Sequence, residues 1–253
     1  MSTGKRLGGK EAAAKGRFLN HLNFGYAKHI KVREKPSEDA LEQMLRTNIS
    51  KEVIDRYCNG IEFVCMSCMV HAICMRNLNG GLEIYSDIYC QSPVTFGKKG
   101  LTFIKRKPQK DAQDSHLLLF ADYIDFLAYE SLHGQIFKEI PDWSDVLILN
   151  QVTNLNAWLE AIGNEDYEHI YLLLPLSTAG RTLSKTIEEL YKSSARNCSN
   201  IYSCFPRLTD FARHKDTMLN ASKIKLLWHS RIREGPAMLI TSWEGTKTSW
   251  LST

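Results

Sequence analysis

The chain has 253 residues, 43% of them hydrophobic and 24% charged, which is ordinary for a globular protein and enough for one large core or two small ones. No apolar run approaches the ~20 residues of a membrane span. The stretch MSTGKRLGGKEAAAKGRF lacks the apolar segment of a secretory signal, and seven cysteines, an odd number, read as reduced thiols of a cytoplasmic protein. The net charge of +4 is uneven: residues 1–35 hold nine Lys or Arg against Glu11 and Glu34, a net +7, leaving −3 for the rest.

Those first 35 residues are Gly- and Lys-rich and weakly patterned, and are expected to be loosely ordered. A small α+β subdomain is expected over 36–112. Ser37, followed by Glu38 and Asp39, marks a helix start, with Leu41, Met44 and Leu45 as its apolar face. Ser50 caps a second helix carrying Val53, Ile54 and Tyr57. From Ile61 to about Arg106 the pattern is β, with Asn79-Gly80-Gly81 as a hairpin turn.

Beyond Asp114 the pattern alternates. Leu117–Phe120, Val146–Leu149, Ile170–Leu174 and Asn200–Cys204 read as strands. Between the first three and after the third lie helical stretches through Ile124 to Leu132, Leu155 to Ile162 and Leu183 to Tyr191. Apolar strands alternating with helices predict an α/β domain over 113–222, a mostly parallel sheet with helices on both faces. Residues 223–253 form a C-terminal extension, in which Ala237–Trp243 is one more strand candidate.

In order and spacing, LLLFADYIDFLAYESL, VLILN and HIYLLLPLSTAGRTLSKTI resemble a Toprim domain, nearest to the primase-like Toprim proteins of bacterial mobile elements. LRTNISKEVIDRYCNGIEF, MRNLNGGLEIYSDIY and HKDTMLN fit the same pattern, so the resemblance spans roughly residues 37–222. It implies a site on the phosphodiester backbone in which an Asp-x-Asp pair at one strand tip holds Mg²⁺, with a Glu at the neighbouring tip as general acid or base. Carried onto this chain, the Glu position falls on Ala121 and its following Gly on Asp122, while the two Asp positions fall on Pro175 and Ser177. Asp125 in the helix and Ala179-Gly180-Arg181 match the pattern.

All three principal carboxylates are therefore absent, and no catalytic residue, metal or cofactor is expected. The implied protein is a degenerate Toprim that binds DNA, as an accessory to replication, mobilisation or excision of a mobile element and in company with its proteins. The basic stretch GKKGLTFIKRKPQK, with Lys98, Lys99, Lys105, Arg106, Lys107 and Lys110, supplies phosphate contacts, joined by Arg181 at a helix start. One alternative is an active Mg²⁺-dependent primase- or nickase-like enzyme with a site relocated onto Asp122, Asp125 and Asp216. Another is a protein-interaction scaffold. For Asp122 the simpler role is a helix N-cap, and for Asp125 an interaction with the helix N-terminus or Arg181.

Cys65, Cys68, His71 and Cys74 have the ligand types of a zinc site, but equal three-residue spacing puts them on alternating faces of a strand. Apolar neighbours mark them as core. No G-x-S-x-G elbow or Walker loop is present in the sequence.

Overall fold

A computed structural model describes residues 28–45, 49–65, 68–86, 93–107, 114–132, 140–163, 165–175, 177–194, 200–204 and 228–232. The chain divides into two compact units, Met1–Lys99 and Gly100–Thr253.

The first unit is a five-stranded antiparallel sheet with two helices. The strands are β1 (Lys28–Arg33), β2 (Asn59–Cys65), β3 (Cys68–Arg76), β4 (Leu82–Tyr85) and β5 (Val94–Phe96), and they lie in chain order. The strand β1 falls within the segment expected to be loose. Four of its six residues are basic or His, yet the segment pairs with β2 at the edge of the described sheet, a position where charge is tolerated.

The helices are α1 (Glu38–Leu45) and α2 (Lys51–Tyr57). Their starts follow the sequence signals: Ser37 Oγ accepts from Ala40 N, and Ser50 Oγ from Val53 N. Both hydroxyls satisfy an amide that the helix itself leaves unpaired. Ala40 and Met44 of α1, Val53 and Ile54 of α2, and Ile61, Phe63, Val70 and Ile73 of the sheet are all buried.

The β3–β4 hairpin turns on Gly80, at φ +80°, and is organised by Asn77. The Asn77 side chain accepts from Asn79 N and Gly81 N, and donates to Glu83 Oε1 (2.9 Å) and to the Lys98 carbonyl (2.8 Å). Gly81 must be Gly, because a Cβ there would lie 1.9 Å from the Lys98 carbonyl oxygen. Glu83 is buried and also accepts from Thr95 Oγ1.

Burial raises the Glu83 carboxyl pKa above its ordinary 4.5, against the opposing pull of the Asn77 and Thr95 hydrogen bonds. The folded state then holds this proton more tightly than the unfolded chain. The stability Glu83 contributes is therefore full below the unfolded-state value and declines as pH rises through the folded-state one. Glu83→Gln, which keeps the shape and both partners, is expected to flatten that decline and raise stability near neutral pH. Denaturant melts across the acid range measure it, and an unchanged pH slope would sink the assignment.

The second unit holds a six-stranded sheet in the order β11-β10-β9-β7-β8-β6. Its members are β6 (Thr102–Ile104), β7 (His116–Phe120), β8 (Asp145–Ile148), β9 (His169–Leu173), β10 (Asn200–Cys204) and β11 (Trp228–Ile232). The four central strands are parallel, while β6 and β11 pair antiparallel at the edges. The α/β class with a mostly parallel sheet is as expected.

The division between units is not where the sequence pattern put it. β6 belongs to the second sheet, so the boundary falls at Lys99/Gly100, inside the basic stretch, instead of near residue 112. The extension after 222 contributes β11, whereas Ala237–Trp243 lies outside the described residues.

Helices cover both faces of the parallel strands. On one side Leu117, Leu119, Ile170 and Leu172 share a core with Trp158 of α4 (Trp158–Ala161) and with Leu183, Ile187 and Tyr191 of α5 (Thr178–Ser193). The helix expected around Leu155 begins as a 3-10 turn, Val152–Ala157, before α4. On the other side Phe120 meets Phe126 and Tyr129 of α3 (Tyr123–Leu132) edge to face.

Candidate functional site

Strand order reverses between β7 and β9: β7 is followed by β8 on one side, and β9 by β10 on the other. In open α/β sheets the crevice beyond the carboxyl ends of two such strands is the usual ligand position. Phe120 and Leu173 are register partners, so Ala121 and Pro175 leave the sheet at neighbouring tips. Sequence reasoning and topology therefore select the same corner.

The polar groups at this corner serve the backbone. Asp122 Oδ1 accepts from Ile124 N and Asp125 N, both at 3.0 Å, so Asp122 caps α3. The residue is half-buried. Burial raises its pKa, opposed by the two amide hydrogen bonds. Asp125 is half-buried in the first turn of α3.

Across the corner, Ser177 Oγ accepts from Gly180 N at 3.0 Å, and the Ser177 carbonyl accepts from Arg181 N. Ser177 is thus the N-cap of α5. The Pro175 carbonyl accepts from Ser177 N (2.8 Å) and lies so near Gly180 that a Cβ there would meet its oxygen at 2.1 Å. Gly180 serves close approach of strand end and helix. Arg181 is exposed in the first turn of α5.

These residues do not suit Mg²⁺. Ala121 and Pro175 offer no side-chain oxygen, the Ser177 hydroxyl is engaged by an amide, and Asp122 Oδ1 is taken by two backbone amides. Asp216 lies outside the described residues.

The chain matches no protein-family model, no curated protein and no solved structure.

The basic residues divide between the units. Lys98 and Lys99 are exposed, and their carbonyls are held by Asn77 and Asn79 against the β3–β4 hairpin. In the second unit Lys105 is exposed and ion-paired with Glu165, and Lys107 is exposed. Arg106 is half-buried. Its guanidinium reaches Glu130 (2.8 Å) and the Asp142 carbonyl (2.9 Å), while its amide donates to Asp145 Oδ1 (2.7 Å). Lys110 lies outside the described residues. No described helix is long and apolar enough to cross a membrane.

Of the candidate zinc ligands, His71 and Cys74 do not come together. Along β3 the alternation puts His71 and Cys74 on opposite faces. His71 instead lies by Ser37, Glu62 and Asp39. Cys74 is buried with its thiol pushed up to about 12, mainly by burial, and Cys58 is likewise buried with its thiol pKa raised.

One cluster escaped the sequence reading. At the opposite end of the same two strands, Asp114, His116 and His169 place one donor atom each within 4.8 Å of one another. Burial first, then the neighbouring His169, lowers His116 to about 4, against the opposing charge of Asp114. Fifty-three positions separate the two histidines, so only the β7–β9 register, which pairs them, brings them together.

Proposed function

We propose that this chain is a nucleic-acid-binding protein built on a Toprim-like α/β unit whose metal corner has been converted to structural use. Its role is that of a DNA-binding accessory factor of a mobile element. The observation that carries this reading is the corner itself: the strand tips and helix starts of the resemblance are retained, while Ser177 and Asp122 cap helices. Charge supports the same reading. Lys98, Lys99 and Lys107 are exposed, and Arg181 stands at the start of α5. Interactions of this kind with phosphates are sequence-independent and release counterions.

The test is anisotropy of labelled random-sequence oligonucleotides, single- and double-stranded, with the full chain over a range of salt. Retention is expected to fall steeply as salt rises. Neutralising Lys98, Lys99 and Lys107 together is expected to weaken binding uniformly across sequences and to flatten the slope by about one for each phosphate left without its lysine. Asp122→Asn and Asp125→Asn are expected to leave retention intact. No retention at low salt would overturn the reading in favour of a protein-interaction scaffold. Mg²⁺-dependent nicking or primer synthesis lost in Asp122→Asn or Asp125→Asn would overturn it in favour of a relocated enzyme site.

A further inference from the structure

We propose that Asp114, His116 and His169 bind a divalent transition-metal ion of the Zn²⁺ class, leaving at least one coordination position open to solvent. The site lies at the amino-terminal ends of β7 and β9, away from the corner beyond their carboxyl ends, and it stands or falls independently of nucleic-acid binding.

Backbone hydrogen bonds fix the frame. The Ser115 carbonyl accepts from both Glu168 N and His169 N (3.0 Å each), and Ser115 Oγ donates to the Asp166 carbonyl (2.7 Å). His116 and His169 then stand side by side as register partners on one face of the sheet.

Stacking fixes the rings. The two imidazoles are nearly parallel, with centroids 4.7 Å apart. Trp143 packs edge-on against His116 at 4.8 Å, and Tyr202 stacks on His169 at 5.9 Å. Each ring is therefore held on two sides, and ordering it costs little further entropy when an ion arrives.

The outer nitrogens are also in place. His116 Nδ1 lies 3.4 Å from Tyr171 Oη. His169 Nδ1 lies 3.4 Å from Tyr202 Oη, which can accept its proton, and 3.5 Å from Asn200 Nδ2, which would have to exchange places with Oδ1 to do the same. Metal-binding histidines regularly tie one nitrogen to such a partner, which sets the tautomer and leaves the other lone pair for the ion. Here the untied nitrogen of each ring is Nε2, and His169 Nε2 lies 3.7 Å from Asp114 Oδ2. Tetrahedral zinc requires donors about 3.3 Å apart, given bonds of about 2.0 Å. The three donors, all within 4.8 Å of one another, must draw together around the ion, a movement open to the half-exposed Asp114 side chain.

Two imidazoles and one carboxylate select the ion. Mg²⁺ and Ca²⁺ prefer oxygen ligands, whereas imidazole suits Zn²⁺, Co²⁺, Ni²⁺ and Cu²⁺. Three protein ligands with an open fourth position is the pattern of zinc sites that hold a water. The same rings do not form a base-stacking platform. His116, His169, Tyr171 and Tyr202 stack on one another, which fills the faces between them.

Competition of the full chain with a chromophoric chelator for Zn²⁺ tests the site, with Co²⁺ as spectroscopic reporter. One ion per chain is expected, with the visible absorption of tetrahedral Co²⁺ and no thiolate-to-cobalt charge-transfer band. His169→Ala is expected to weaken binding more than about 100-fold, since even the loss of outer hydrogen-bond partners costs about 10- to 100-fold. Tyr202→Phe, which keeps the stack and removes the hydroxyl, is expected to cost about 10-fold. Asp114→Asn, at a half-exposed position with little effect on folding, keeps the test valid if His169→Ala fails to fold. No stoichiometric binding, a charge-transfer band reporting cysteine ligation, or affinity unchanged in Asp114→Asn would each overturn the proposal.

Discussion

Gly180→Ala is expected to destabilise the second unit by about 3 kcal/mol, at the upper end of the usual cost of overpacking. On helix propensity alone the sign would be opposite, because an exposed helical glycine gains roughly 1 kcal/mol on becoming alanine. The close approach decides the balance. The added Cβ would meet the Pro175 carbonyl oxygen at 2.1 Å and its carbon at 3.1 Å, and both are backbone atoms with no rotamer to escape into. Relief requires moving the end of β9 away from the start of α5, which would also disturb the hydrogen bonds of Ser177 to Gly180 N and to the Pro175 carbonyl. For a unit of this size the loss corresponds to roughly 6–12 °C in melting temperature. Thermal and denaturant unfolding measure it, and an unshifted midpoint would show that the corner opens freely.

This corner was legible in the sequence because its parts are local. An apolar run ending near Pro175 and an amphipathic stretch after Gly180 read as strand, turn and helix start without knowledge of the rest, while the capping role of Ser177 appears only in the structure. The sequence also separates fold from chemistry here. Aspartate caps a helix about as well as serine, so the fold alone does not require Ser177 in place of an acid. Non-local features were less legible. The segment Lys28–Arg33 looks like a basic tail until β2 is found beside it. β6 carries nothing in its three residues to say which sheet it joins. The Asp114–His116–His169 cluster depends on a strand register that no spacing rule encodes. Parallel strands are recognised one by one from composition, but their pairing is a property of the whole chain.

Arg106 illustrates the same limit within the basic stretch, where charge alone treats it like its neighbours. Arg106→Ala is expected to cost about 2 kcal/mol of stability and to leave the salt dependence of nucleic-acid retention nearly unchanged. The Arg106 and Glu130 side chains are only 14% and 9% exposed, so the pair lies in a poorly screened environment. Removing one partner of a fully buried pair costs about 3–5 kcal/mol, and the residual exposure reduces that figure. The guanidinium also ties the end of α3 to the Asp142 carbonyl just before β8, beside Asp145, which accepts from Arg106 N and from Tyr167 Oη at 2.7 Å each. Arg106→Lys is expected to recover only part of the loss, because one ammonium does not reproduce the planar fork that spans two acceptors. Lys107→Ala should behave in the reverse way, lowering retention without moving the melting temperature. Unfolding midpoints and salt slopes taken on the same variants separate the two roles. An Arg106→Ala protein of native stability with a flattened salt slope would place that guanidinium on the phosphate backbone instead.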